Sequence, residues 1–342
     1  QRQMCIRDRN CTILAKKVAK APKQVGATFS YNGKDYSYEA LNETLRAEFK
    51  EMAGTYNAYR RNKNDIFEIM QEVIDDVLPK RVLEAYGEWA EIKQYGQGNK
   101  VQFVKKAGKK RAKQFITKVG LAGIYEVFKL DKEFYEVETT AYGGAAQIGL
   151  EEFLDGLIDF ADLLDILLEG LDECVYREIA KAMKSIEGQL PGANKASGAG
   201  FVAAEFDKLL TVSRAYGDPV IYATLELATK IVPETNWISD ADKVAMRTQG
   251  YVGIYKGCKV IVMPQSFEDE TNEVKVFDPA YAYIIPVGAN DKPVKIAFEG
   301  ETIIDEVKNR DQSREVQAYK KFGVALMATN DMCVYKDTSL AQ

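Results

Sequence analysis

Gly250-Tyr-Val-Gly-Ile-Tyr-Lys-Gly-Cys-Lys-Val-Ile-Val-Met-Pro264 reads as a strand, a glycine turn and a second strand closed by proline. The same signature continues at Tyr281 to Pro286, Val294 to Phe298 and Phe322 to Met327, so the last third is dominated by β-pieces. Upstream the period changes. Leu225 to Ile231 reads as a short helix before Pro233, Pro219 to Ala223 as a buried strand and Phe201 to Ala215 as an amphipathic helix. Residues 191–200, rich in Gly, Ala and Ser, read as a linker. No fixed repeat of 20–50 residues runs through the chain.

Leu150 to Gly170 is a helix pattern dense in Leu, Ile and Phe. Its acids, Glu151, Glu152, Asp155, Asp159, Asp162, Asp165 and Glu169, recur at steps of three or four and share one broad face. Metal ligation or an acid/base pair is one reading of them; a solvated or partner-facing stripe fits the regular spacing better. The helix is expected to continue to Ile186, stop at Gly188 and Pro191, and reach roughly 50–60 Å. Before it, Val101 to Val104, Phe115 to Val119, Ile124 to Leu130 and Phe134 to Thr140 read as β-pieces. Lys100 to Lys118 holds eight basic residues and no acid, so this strand-bearing excursion has a positive tip.

Nearer the N-terminus, residues 10–26 read as a basic, flexible arm. Asn32-Gly33 between aromatic residues predicts a hairpin. Ala40 to Met52 predicts a helix after Ser37. A helix capped at Asn64 or Asp65 is expected to end at Leu78-Pro79, with a short one following from Lys80 to Trp89. Met4 to Arg9 resembles a translated sequencing-adapter end, which sets Gln1 to Arg9 apart as an assembly scar.

Composition narrows the function. The chain has 342 residues, 46 Lys+Arg against 51 Asp+Glu, a formal charge of −5 and no histidine. Hydrophobic residues make up 46% and charged ones 28%, as in a protein with a real core. Without histidine, every His-dependent triad, dyad and zinc set is excluded. No catalytic, cofactor or metal residue is assigned. Gly250-Tyr-Val-Gly253 and Gly143-Gly144 match neither GxGxxG nor a Walker loop. Cys5, Cys11, Cys174, Cys258 and Cys333 form no CxxC pair and read as buried thiols of a reduced, intracellular protein. No apolar run reaches membrane-spanning length, and none has the form of an export signal.

The C-terminal pieces then come in a telling order. After the stretch at 250–264 follow Ala282-Tyr-Ile-Ile-Pro286, Lys292-Pro-Val-Lys-Ile-Ala-Phe-Glu-Gly300, Glu315 and Lys320-Lys-Phe-Gly-Val324. This order, behind a basic β excursion and a very long helix, resembles the major capsid proteins of tailed bacteriophages with the Hong Kong 97-like fold. The resemblance implies an α+β chain in named parts. Residues 10–98 would be an N-terminal arm with helices, 99–141 the E-loop hairpin, and 142–198 the peripheral domain with its spine helix. Residues 199–280 would be the axial domain, and 281–342 a return to the peripheral β-sheet.

It further implies a structural subunit, not an enzyme, that assembles as pentamers and hexamers into an icosahedral shell around double-stranded DNA. Its partners would be copies of itself, a scaffolding protein and a portal, with packaged DNA touched non-specifically and no membrane. Its place would be the virion, assembled in the host bacterial cytoplasm. Because this family's E-loop lies over the next subunit, Lys105, Lys106, Lys109, Lys110, Arg111 and Lys113 are expected to face Glu151, Glu152, Asp155 and Asp159 of a neighbour. Each exposed pair contributes only ~0.2–1 kcal/mol, yet repetition around a ring sets register. The plainer reading is that these lysines solvate a loop tip. Two other functions compete: an encapsulin-type shell of the same fold enclosing enzymes, and a nucleic-acid-binding protein using Lys105–Lys113.

Overall fold

The computed structural model describes residues 6–20, 28–31, 34–87, 90–105, 133–148, 160–232, 240–269, 271–287, 292, 294–308, 314–327 and 331–340. Helix α1 (Ile6–Lys20) buries Cys11, Leu14, Ala15, Val18 and Ala19. This corrects the flexible-arm expectation for residues 10–26, because the small apolar residues among the lysines form one stripe that packs on the next helices. Strands β1 (Thr28–Tyr31) and β2 (Lys34–Ser37) pair antiparallel with Tyr31 opposite Lys34, so the intervening two residues are the Asn-Gly pair. Ser37 then caps α2 (Tyr38–Ala53) by accepting from the Ala40 N–H at 3.3 Å.

Thr55 caps α3 (Tyr56–Tyr86) in the same way. The expected stop at Leu78-Pro79 does not occur: one helix runs through both expected helices. Pro79 removes the N–H that would bond the Asp75 carbonyl. Val73, Ile74, Val77, Leu78 and Val82 around it are fully buried, so packing outweighs the lost bond.

Strand β3 (Ala90–Tyr95) was not legible in the sequence. It is followed by β4 (Gln102–Lys105), β5 (Glu133–Glu136), β6 (Thr140–Ile148) and the long α4 (Phe160–Gln189). Next come β7 (Lys195–Gly198), α5 (Ala203–Arg214), β8 (Asp218–Ala223), α6 (Leu225–Ala228) and α7 (Asp240–Gln249). The chain closes with β9 (Ile254–Tyr255), β10 (Cys258–Val262), β11 (Tyr281–Val287), β12 (Val294–Lys308), β13 (Arg314–Leu326) and β14 (Cys333–Asp337). The turn of the opening stretch is Lys256-Gly257, both at positive φ (45° and 81°), between paired Tyr255 and Cys258. Gly143-Gly144 lies mid-strand in β6, where a Cβ on Gly143 would come 2.3 Å from the Ala318 carbonyl oxygen. Strand packing, not phosphate, explains that glycine.

Two main sheets result. A four-stranded one has the order β3-β12-β13-β6, and a six-stranded one the order β7-β14-β11-β8-β10-β9. Two expectations change here. Residues 191–200 are no linker, since β7 pairs parallel with β14. The chain does not leave for the other sheet at Tyr281: β11 pairs with β8 and β14, and only β12 and β13 join β3 and β6. The run Tyr281 to Pro286 is buried on both faces and flanked on both edges, as a central strand requires.

The period of two divides the cores. Val220 and Tyr222 enter the main core with α1 to α4, whereas Ile221 and Ala223 enter a second core with Phe206 and Leu209 of α5. In β12 the register with β13 shifts between Glu299 and Ile303: four positions on β12 are matched by two on β13, Lys321 to Tyr319. Asp75 of α3 holds this bulge by accepting from the Thr302 N–H (3.0 Å), the Thr302 hydroxyl (2.5 Å) and buried Lys320 (2.6 Å).

Candidate inter-subunit surface

Among the described residues strands β4 and β5 pair only with each other, Gln102 opposite Glu136 and Lys105 opposite Glu133. A two-stranded ribbon is marginal alone, so its root must be held. Phe103 does this: fully buried, it packs with Val101, Val137 and Ala297, and meets Tyr95 edge-on at 6.2 Å. Two lysines approach its ring, Lys93 at 4.6 Å and Lys295 at 5.7 Å from the centroid. Lys295 has 0% side-chain exposure and donates to Glu91 at 2.6 Å, while Lys93 reaches the other Glu91 oxygen at 2.8 Å. Burial pulls the Glu91 pKa up, but the hydrogen bonds from Lys295 and Lys93 outweigh it and hold the carboxyl below its usual range. The opposite face of the ribbon is open: Val104 and Phe134, directly paired, are 37% and 59% exposed.

Of the basic residues expected to act here, Lys105 ends β4. Lys106, Lys109, Lys110, Arg111 and Lys113 lie outside the described residues, as do Glu151, Glu152, Asp155 and Asp159. Further along the acidic stripe, two acids make contacts within the chain. Asp162 pairs with Arg46 of α2 at 2.5 Å, and Asp165 accepts from the Tyr38 hydroxyl at 3.4 Å. Glu169, the last acid of the stripe, is exposed. Over this part the stripe therefore contributes Asp162 and Asp165 to contacts with α2 while Glu169 stays exposed.

A second seam binds the six-stranded sheet to its loops. Asp337, with 0% side-chain exposure, accepts from the Gly200 N–H (2.8 Å), the Ser339 N–H (2.9 Å), the Ser339 hydroxyl (2.6 Å) and Lys230 (2.9 Å). Burial alone would raise its pKa; the Ser339, Lys230 and Gly200 donors together bring it down to about 2. Lys295 and Asp337 were both missed from the sequence. The signal for the first was a charged residue inside the apolar run Val294 to Phe298.

An open cleft of about 930 Å³ lies between α3 and the bulge of β12, lined by Glu68, Gln71, Asp75, Gln97, Glu301 and Lys320 among others. Among the described residues no group of three or more His, Cys, Asp or Glu could hold a metal, and no helix is long and apolar enough to cross a membrane. Cys11, Cys258 and Cys333 are buried thiols, and burial pushes Cys333 up to about 12.

A family model described as "SPbeta prophage-derived putative capsid protein YonB" matches residues 13–336. No curated protein matches the chain. Among solved structures, the mature capsid of bacteriophage PhiM1 aligns at TM-score 0.48 and 10% identity, covering 75% of this chain and 87% of that one. The head structure of Helicobacter pylori bacteriophage KHP40 aligns at 0.47 and 12%, covering 74% and 90%. The holo-SrpI encapsulin complex from Synechococcus elongatus aligns at 0.44 and 11%, covering 74% and 86%.

Proposed function

The chain belongs to the YonB family of SPbeta prophage-derived capsid proteins, and on that premise we propose that it is the major shell subunit of a Hong Kong 97-like phage capsid. A capsid protein has its place in the virion. The observation that carries the finer reading is the extent of the family match, residues 13–336, which takes in both sheets, the ribbon and the long helix. In this reading residues 10–98 form the arm, 99–141 the E-loop, 142–198 the peripheral domain with α4 as spine, and 199–280 the axial domain. The axial unit also recruits β11 and β14. Copies close as hexamers and pentamers around double-stranded DNA, with a scaffolding protein and a portal, in the host cytoplasm.

The ribbon root suits this work. Lys93, Lys295 and Glu91 fix where the strands leave the body, while Val104 and Phe134 present an apolar face for a neighbour to cover. Beyond the root, Lys105 to Lys113 bring the positive charge that would steer it onto Glu151, Glu152, Asp155 and Asp159 of the next copy. Electron microscopy of the chain expressed with its neighbouring prophage genes tests the function: closed shells tens of nanometres across are expected, and persistent monomers overturn it. The triple reversal Lys109→Glu, Lys110→Glu, Arg111→Glu tests the loop contact. Folded monomers with impaired shells are expected, and normal shells sink that contact alone.

A further inference from the structure

Among the described residues the two main sheets have four outer strands, and three of them are protected against pairing with other chains. Strand β9 is two residues long, and β7 is four and begins with Lys195. Strand β3 carries Glu91 and Lys93, both engaged at the ribbon root. These are the usual ways of blunting an edge: shortness and charge.

Strand β6 has none of them. It is nine residues long, Thr140–Ile148, with no charged residue and no proline. It pairs with β13 without a register break from Phe322 to Arg314, and no strand among the described residues pairs with its other side, which presents a straight row of backbone donors and acceptors. Ala141, Gly143, Gly144 and Ala145 are exposed. A long, uncharged, unpaired edge is a template for another strand.

We propose that β6 pairs edge to edge with β6 of a second copy across a two-fold axis, joining two four-stranded sheets into one of eight. The inference rests on the capsid reading only in that it needs a self-associating chain. Self-pairing follows from the strand's chemistry. A two-fold contact sets the strand against its own copy, so a strand carrying charge of one sign would repel itself. Thr140–Ile148 is neutral along its whole length. Antiparallel pairing is the arrangement a two-fold axis generates, and the small exposed side chains around Gly144 let two backbones approach.

The test uses the full chain and two variants, Ala141→Lys/Ala145→Lys and Ala141→Glu/Ala145→Glu. Both replace exposed alanines, and an unchanged urea midpoint establishes that each still folds. Sedimentation of either variant alone is expected to give association weakened by about tenfold or more, because like charges meet across the axis. Mixing the two variants is expected to restore it. In the parent, amides of residues 140–148 should exchange more slowly in the assembled state than in dispersed subunits. Unweakened association of the lysine variant, or no recovery on mixing, overturns the pairing. Parent shells whose β6 amides exchange as freely as in free subunits also overturn it and leave the capsid reading standing. A parent that stays monomeric under every condition overturns both.

Discussion

Both main sheets bury ionised side chains, and two of these, Asp337 in the six-stranded sheet and Lys295 in the four-stranded one, are satisfied differently. Asp337 gathers four donors from three separate segments: β14's own continuation, the turn at Gly200 and Lys230 after α6. Lys295 donates to Glu91 and lies over the Phe103 ring. Asp337 is thus a junction whose loss frees several chain segments at once. Lys295 is one member of a root whose main weight is carried by the apolar Phe103. Removing a buried charge costs most where several donors are left unpaired.

Four substitutions or conditions break this comparison in order of size. Asp337→Ala strands the Gly200 and Ser339 donors and Lys230 together, and a loss of about 3–5 kcal/mol in urea unfolding is expected. Phe103→Ala empties the ribbon root, with an expected loss of about 3 kcal/mol, and amide exchange at residues 101–104 and 134–137 should rise more than elsewhere. Acid weakens both seams, because Glu91 and Asp337 are each held below their usual range, and the larger share is at Asp337. Its folded pKa of about 2 lies below the ordinary 3.8, so its stabilising share is complete above pH 4 and is lost as pH falls from 4 to 2. That share is about 2 kcal/mol, and Asp337→Asn should flatten this part of the pH profile. Lys295→Met keeps the apolar stem and leaves Glu91, a third exposed, free to take up water. A change within about 1 kcal/mol is expected. A loss as large as that of Asp337→Ala would erase the distinction between the two seams.

What the sequence disclosed follows the range of the interactions. The Asn32-Gly33 hairpin, the Ser37 cap, the helix at 203–214 and the strand at 218–223 depend on neighbours within a few residues, and each was readable. The docking of α1, the continuity of α3 through Pro79 and the placement of β11 depend on partners far along the chain. For α1 those partners are α2 and α3; for β11 they are β8 and β14. The long helix was visible as an acidic stripe, but what the stripe meets was not. Arg46 and Tyr38, more than a hundred residues away, take Asp162 and Asp165. Of the candidate surface, the ribbon could be read from its β-rich pieces, while the Lys295–Glu91 pair that anchors it required the strand pairing of β12 with β3.

The bulge in β12 carries a rule of parity. Four positions on one strand pass two on the other, so the strand gains two residues, an even number. Val294, Ile296 and Phe298 before the bulge, and Thr302 and Ile304 after it, all turn inward, while Asp305 and Val307 stay exposed. Inside and outside keep their phase over all fifteen residues because the extra count is even. Length variation at this point is therefore quantised. Insertions or deletions of two residues leave the sheet's two faces as they are, whereas a single one would turn Ile304 into water and Asp305 into the core.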